Sequence, residues 1–360
     1  LNLIINSFSI EPQHKESNMK SLRGYTFFAF LLVLVMGCGT LGTSSTPVPA
    51  IESTSTVAPS LPPTETPDTA SPSPQFVWSF NGGETPFFYP SGIAIDSQNN
   101  LYIADTRNHR IVKIDSDGQF ITQWGSAGEG QGQFISPTGV AVDTQDKVYV
   151  TEAGYNRVQK FDSEGKFLTQ WGGSGGRDQS GYPTNIAVDG QGNVFITDAK
   201  NLRFQKLYGT GKKLAEWGGQ GNEDGQFTAI GFVAVDAEGN VFVNDLESNK
   251  VTISKFDNAG NFLTKWSSLT CGFTRQAVSP AEIGGAGGMW FDPQGSLYTA
   301  DLSWGRICIF DASGSFKGGW GEKGLQPGQL LAPTGIVGDN AGNIYVLDYS
   351  SGQVQKFSTK

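Results

Sequence analysis

One pattern recurs six times between Phe76 and Lys360, and it restricts the possible folds more than any other feature of the chain. Gly-x-Ala-x-Asp, or a close variant, ends at Asp96, Asp143, Asp189, Asp236, Asp292 and Asp339, at intervals of 47, 46, 47, 56 and 47 residues. A second mark falls at Asp105, Glu152, Asp198, Asp245, Asp301 and Asp348, and a third at Trp124, Trp171, Trp217, Trp266 and Trp320. A fixed period of this length signals a propeller or an array. Within one copy, Gly92–Asp96, Leu101–Asp105, Ile111–Ile114 and Phe120–Trp124 read as four short strands rich in β-branched and aromatic residues, separated by Gly and Asp turns. Composition agrees. Gly is 48 of 360 residues and charged residues are only 16%, against about 25% in ordinary soluble proteins, which disfavours helical bundles. Four strands per repeat make the blade of a β-propeller.

The chain ends decide between a ring and an open stack. The sixth repeat stops at Lys360 after three strands, and the missing strand stands before the first repeat as Phe76-Val77-Trp78-Ser79-Phe80, matching Phe167-Leu168-Thr169-Gln170-Trp171. An open solenoid would need polar caps at both ends. The expectation is an all-β, six-bladed propeller of four-stranded antiparallel blades over 76–360, the last blade closed by the N-terminal strand.

The first 75 residues belong to something else. Met19-Lys20-Ser21-Leu22-Arg23 is a short basic start, and the uncharged run from Tyr25 to Met36 follows. At twelve residues it is too short for an ordinary transmembrane span of about 20. It has the layout of a secretory signal. Val35-Met36-Gly37-Cys38 resembles a bacterial lipobox, which implies cleavage before Cys38 and acylation of its thiol; an ordinary signal peptide or an uncleaved anchor is the alternative. Residues 1–18 read as an upstream extension, so 1–37 is assigned as extension plus signal. In the segment Gly39–Gln75, eight residues are Pro and fifteen Ser or Thr, with no Lys or Arg. Such a stretch cannot bury enough apolar surface to offset its ordering entropy, so 38–75 is expected to be a lipidated, disordered linker. The expected location is exported and membrane-anchored, facing the periplasm or extracellular space.

The stretches Ile103-Ala104-Asp105-Thr106-Arg107-Asn108-His109-Arg110-Ile111-Val112-Lys113-Ile114-Asp115 and Gly154-Tyr155-Asn156-Arg157-Val158-Gln159-Lys160-Phe161-Asp162 resemble the NHL repeat signature. The resemblance implies a six-bladed propeller. It implies no single function, because that fold carries lyases, lactonases, sensor domains and binding scaffolds.

Features shared by all repeats are best explained by the fold. The Asp96 set is expected to bond turn backbones; a calcium ring would need 6–8 oxygens converging on one point. The serial Trp residues are expected between blades. Asp105 with Arg110, Glu152 with Arg157, Asp198 with Arg203 and Asp301 with Arg306 are expected to fasten loops.

Residues that differ between repeats are the candidates for binding. On the face carrying the second-to-third-strand loops and the blade-to-blade connections, the loop face, these are Arg107 and His109 in blade one, Tyr155 in blade two, Trp304 in blade five and Tyr349 in blade six. The longer connection into blade five adds Phe273 and Arg275. Long loops on rigid scaffolds often carry function, and Trp and Arg are favoured anchors. The sequence therefore centres a ligand site on blades four to six. Cys271, in that connection, and Cys308, in blade five, are a possible disulfide.

Catalysis finds little support. The propeller holds one histidine, His109, too few for a histidine-rich zinc site. The inner strands begin without a carboxylate, and only Asn185 suits a lactonase-like calcium site. No cofactor and no metal are expected. The propeller carries 22 basic and 29 acidic side chains, a net charge of −7, which argues against nucleic acid. The expected protein is a monomer, touching the membrane through its lipid alone, whose loop face binds a protein, peptide or glycan partner. The alternatives are a metal-dependent hydrolase or lyase of lactonase type, and a purely structural envelope scaffold.

Overall fold

The computed structural model describes residues 73–173, 183–247, 250–267 and 286–360. Over these the chain forms six four-stranded antiparallel sheets arranged as the blades of a propeller. Blade one, for example, runs Pro90–Ile95, Leu101–Asp105, Arg110–Ile114 and Phe120–Trp124 from the centre outward. Blade six takes Pro333–Gly338, Asn343–Asp348 and Gln353–Ser358 from the C-terminus and Gln75–Phe80 as its outer strand.

That closure is the one expected, in the register of the other blades. Phe76 pairs with Phe357 as Phe167 pairs with Phe161, and Phe80 lies opposite Val354, the slot that Trp171 fills opposite Val158. Trp78 sits opposite Lys356, after a bulge that follows Phe76. Its indole still reaches the expected neighbour. The ring packs on Gly118 of blade one and Nε1 donates to the Ser116 carbonyl at 3.3 Å.

Four of the five other junctions follow the same plan, and at the fifth Trp320 packs on Phe357. Trp124, Trp171, Trp217 and Trp266 each lie on a glycine in the next blade's outer turn, respectively Gly165, Gly211, Gly260 and Gly314. Those glycines adopt positive φ, between 82° and 89°, and a Cβ there would run into the indole. Glycine is thus required twice, for backbone conformation and for the ring. The core is correspondingly divided among the six junctions. Tyr102, Ile111, Phe134, Val150 and Phe161 fill the space between blades one and two, for instance, and Leu101, Ile103, Tyr345 and Leu347 the space between blades six and one. Each fully buried large side chain contributes about 1.5–3 kcal/mol.

The Asp96 set holds turns. Asp96 Oδ1 accepts from the backbone N–H groups of Gln98 and Asn100, and Asp189 and Asp339 repeat the arrangement. In blades one, two and six the second-to-third-strand loop is bonded to the incoming connection, Arg107 N–H donating to the Phe88 carbonyl, Gly154 N–H to the Ile135 carbonyl and Tyr349 N–H to the Ala332 carbonyl, which fixes the loop face named above.

Candidate functional site

The loop face rests on a tier of buried carboxylates. Asp105 and Arg110 pair at 2.7 Å, and Glu152–Arg157, Asp198–Arg203 and Asp301–Arg306 at 3.1 Å. Asp105, Glu152 and Asp198 are fully buried, so these pairs are not solvated surface bridges. Burial pushes the Glu152 carboxyl up, although Arg157 pulls it down. The arginines also gather the connections: Arg110 donates to the Thr85 carbonyl, and Arg157 to the carbonyls of Glu129 and Gln133. Blades four and six have Thr252 and Gln353 opposite the carboxylate, and there Asp245 and Asp348 accept from backbone N–H groups of the incoming connection instead. The tier is a fastening layer, as expected from sequence.

Above it, the sequence-predicted residues separate. Tyr155 donates to Glu129 and lies 5.5 Å from the Arg157 guanidinium. Trp304 lies 6.0 Å from the Arg306 guanidinium, and its backbone N–H donates to Asp301. Both aromatic rings therefore cover the arginine of their own blade. His109 adopts a left-handed backbone, and its Nδ1 accepts from the backbone N–H of Ser136, tying blade one to the connection into blade two. Phe273, Arg275 and Cys271 lie outside the described residues. Cys308 is buried and disulfide-bonded.

Tyr349 and Arg107 are brought together, across the seam between blades six and one. Tyr349 stacks on Tyr89 with ring centroids 4.7 Å apart and planes 25° apart, and Tyr89 stacks on Phe88 at 4.8 Å and 28°. Phe88 is 52% exposed and Tyr89 40%. Burial, with Tyr89 close by, holds the Tyr349 phenol above its ordinary value, and Arg107 acts in the opposite direction. Three backbone N–H groups at the step are engaged. Phe88 N–H donates to Asp105, Arg107 N–H to the Phe88 carbonyl, and Tyr349 N–H to the Ala332 carbonyl. Tyr89 holds a φ of 53°, as its counterpart Ser136 does at 56°. A bulky side chain in that region costs about 1–2 kcal/mol. Three stacked aromatic rings, a guanidinium and phenol hydroxyls thus share one exposed step.

Phe88 and Tyr89 are absent from the sequence-predicted site. A signal was available: before the inner strand, blade one reads Phe88-Tyr89-Pro90, where blades two and six read Ile135-Ser136-Pro137 and Leu331-Ala332-Pro333.

The central channel is walled by the inner strands and has a volume of about 280 Å³. Its lining is Ile, Val, Ala, Phe, Met, Trp and Gly, with Ser91, Asn185 and Thr334 as its polar members. Among the described residues no carboxylate or imidazole lines it. Asn185 Oδ1 accepts from Val233 N–H, so this side chain ties blade three to blade four. Among the described residues no three His, Cys, Asp or Glu side chains gather as a metal site.

A family model described as NHL repeat matches residues 87–121 and 134–161, most of blades one and two. The Drosophila melanogaster protein brain tumor is 46% identical over 46 residues, 13% of this chain and 4% of that protein, so the chain spans a small part of that relative's length. Among solved structures, virginiamycin B lyase from Staphylococcus aureus is similar with a TM-score of 0.52 at 14% identity, over 78% of this chain and 98% of that one. A gluconolactonase from Xanthomonas campestris is similar with a TM-score of 0.54 at 16% identity, over 75% of this chain and 86% of that one. At such identities the likeness is one of fold.

Proposed function

We propose that this NHL-repeat six-bladed β-propeller is a non-enzymatic binding module, held at the cell envelope through Cys38 and presenting its loop face to a protein, peptide or glycan partner. The observation that carries the reading is the exposed Phe88–Tyr89–Tyr349 stack beside Arg107. Solvent-exposed aromatic rings on a rigid frame offer large contact area at small entropic cost, and Tyr and Arg are common binding anchors. The channel wall, which among the described residues is apolar and carries no carboxylate or imidazole, gives a hydrolytic or lyase reaction little to work with. The solved lyase and lactonase share the fold, and that likeness is the whole support for the catalytic alternative.

Export is supported by the disulfide at Cys308, since such bonds persist outside reducing compartments. The test combines capture and fractionation. The full chain is used as bait on envelope extracts, beside Phe88→Ala and Arg107→Gln forms that melt at the same temperature. The parent should retain a partner that both variants release. Equal retention by all three would remove the loop-face seam from the reading. Cys38→Ser should shift the protein from the membrane to the soluble fraction; persistence in the membrane would remove the lipid anchor.

A further inference from the structure

We infer that the step formed by Phe88, Tyr89, Tyr349 and Arg107 is a saccharide site that selects a sugar carrying a carboxylate, such as a uronic acid. The inference rests on the binding-module reading above and names the ligand class for it. The main chain offers little to one class of partner. An extended peptide joining an edge needs unpaired backbone donors and acceptors, whereas the N–H groups of Phe87, Phe88, Arg107 and Tyr349 are all bonded within the protein. The step thus favours recognition by side chains. The stack engages one face of Phe88 and leaves this ring more than half exposed. A pyranose presents a flat face of C–H groups that packs on such a ring, with hydroxyls around its edge for the neighbouring phenols of Tyr89 and Tyr349. Arg107, exposed beside Tyr349, adds the charge. Guanidinium recognises carboxylate with paired, directional bonds. The propeller's net charge of −7 repels long polyanions. The fit is therefore to a short saccharide with one carboxylate at the ring edge.

Calorimetric titration of the full chain tests this with di- and trisaccharides of galacturonic and glucuronic acid, and with their neutral galactose and glucose counterparts. The acidic sugars should bind at least about tenfold more tightly than the neutral ones. Phe88→Ala should weaken both kinds. Arg107→Gln should erase the preference while leaving the residual neutral affinity, a split that loss of folding would not produce. Absence of binding by every acidic sugar into the millimolar range overturns the inference, as does equal affinity for acidic and neutral sugars. Binding that survives both substitutions overturns the site. If capture of an envelope partner depends on Phe88 while no uronate binds, the ligand class fails and the loop-face reading stands. If both substitutions also leave capture unchanged, the two fail together.

Discussion

Lys356 Nζ donates to the carbonyl oxygen of Ser116 at 2.8 Å, joining blade six to blade one across 240 positions of sequence. The same bond recurs round the ring. Lys113 reaches Ser163, Lys160 reaches Gly209, Lys206 reaches Asn258 and Lys255 reaches Ala312, each donating to a carbonyl in the next blade's outer turn. Blade five has Ile309 in that register, opposite Tyr298 as Lys356 is opposite Tyr345. Its neighbour, blade six, has no turn linking its two outer strands, because Gln353–Ser358 and Gln75–Phe80 are not consecutive in the sequence.

The lysine bond should therefore be separable from general packing. Lys356→Met keeps the aliphatic stem and removes a charge-assisted bond, at a cost of about 1.5–3 kcal/mol. Ile309→Lys should also destabilise, since no turn carbonyl stands opposite it. Urea melts of both variants decide the matter, and a stabilised Ile309→Lys form would show that an acceptor exists there.

Paired glycine substitutions isolate the indole contact. Gly192 and Gly260 hold nearly the same φ, 81° and 85°, but a Cβ at Gly192 meets nothing while one at Gly260 collides with Trp217. Gly192→Ala should cost about 1–2 kcal/mol, the penalty for left-handed backbone alone. Gly260→Ala should cost more by about 1–3 kcal/mol, the overpacking component. Equal melting temperatures would mean that the indole moves aside freely.

The inner tyrosines give the fold an alkaline limit. Burial, with Asp96, Asp143 and Asp339 as hydrogen-bonded neighbours, raises the phenols of Tyr102, Tyr149 and Tyr345 far above their ordinary 10.0. The unfolded chain releases these protons near pH 10 and the folded chain keeps them. Their contribution is thus intact below pH 10 and falls as pH rises beyond it. Denaturant melts across this range should show a decline that is shallower in Tyr149→Phe. An identical slope would remove Tyr149 from the account.

Cys308 should appear in peptide maps of the unreduced protein bridged to Cys271. With Cys38 acylated, no other thiol of the chain's three is left for it. Reduction should lower stability by about 2–4 kcal/mol. A Cys38–Cys308 bridge would exclude both the pairing and the lipidation.

The ring was legible because repeats report on each other. Six carboxylate positions and a displaced strand at Phe76–Phe80 specify closure without any long-range information. The slot of Trp78 was not legible: the strand keeps the common register, and its indole stands two positions earlier than the Trp of the other blades yet reaches the equivalent glycine. Tyr349 and Arg107 stood out as departures from the repeat. Their partners did not, because Tyr89 and Tyr349 meet across the seam, 260 positions apart, and no periodicity relates them. The lysine latch was hidden for the opposite reason: a lysine in five of six third strands looks like solvent-facing alternation until its carbonyl is seen.

Joining both chain ends in one blade also sets how the molecule bears mechanical load. A pull on the segment before Gln75 enters the outermost strand of blade six, whose sole strand neighbour is Gln353–Ser358. Tension would strip that strand from one end before any inner strand felt it. The Phe76 ring against Phe357 would then be the first contact to yield, followed by the Trp78 indole on Gly118 and the Phe80 ring against Phe87, and the remaining five blades would keep their sheets.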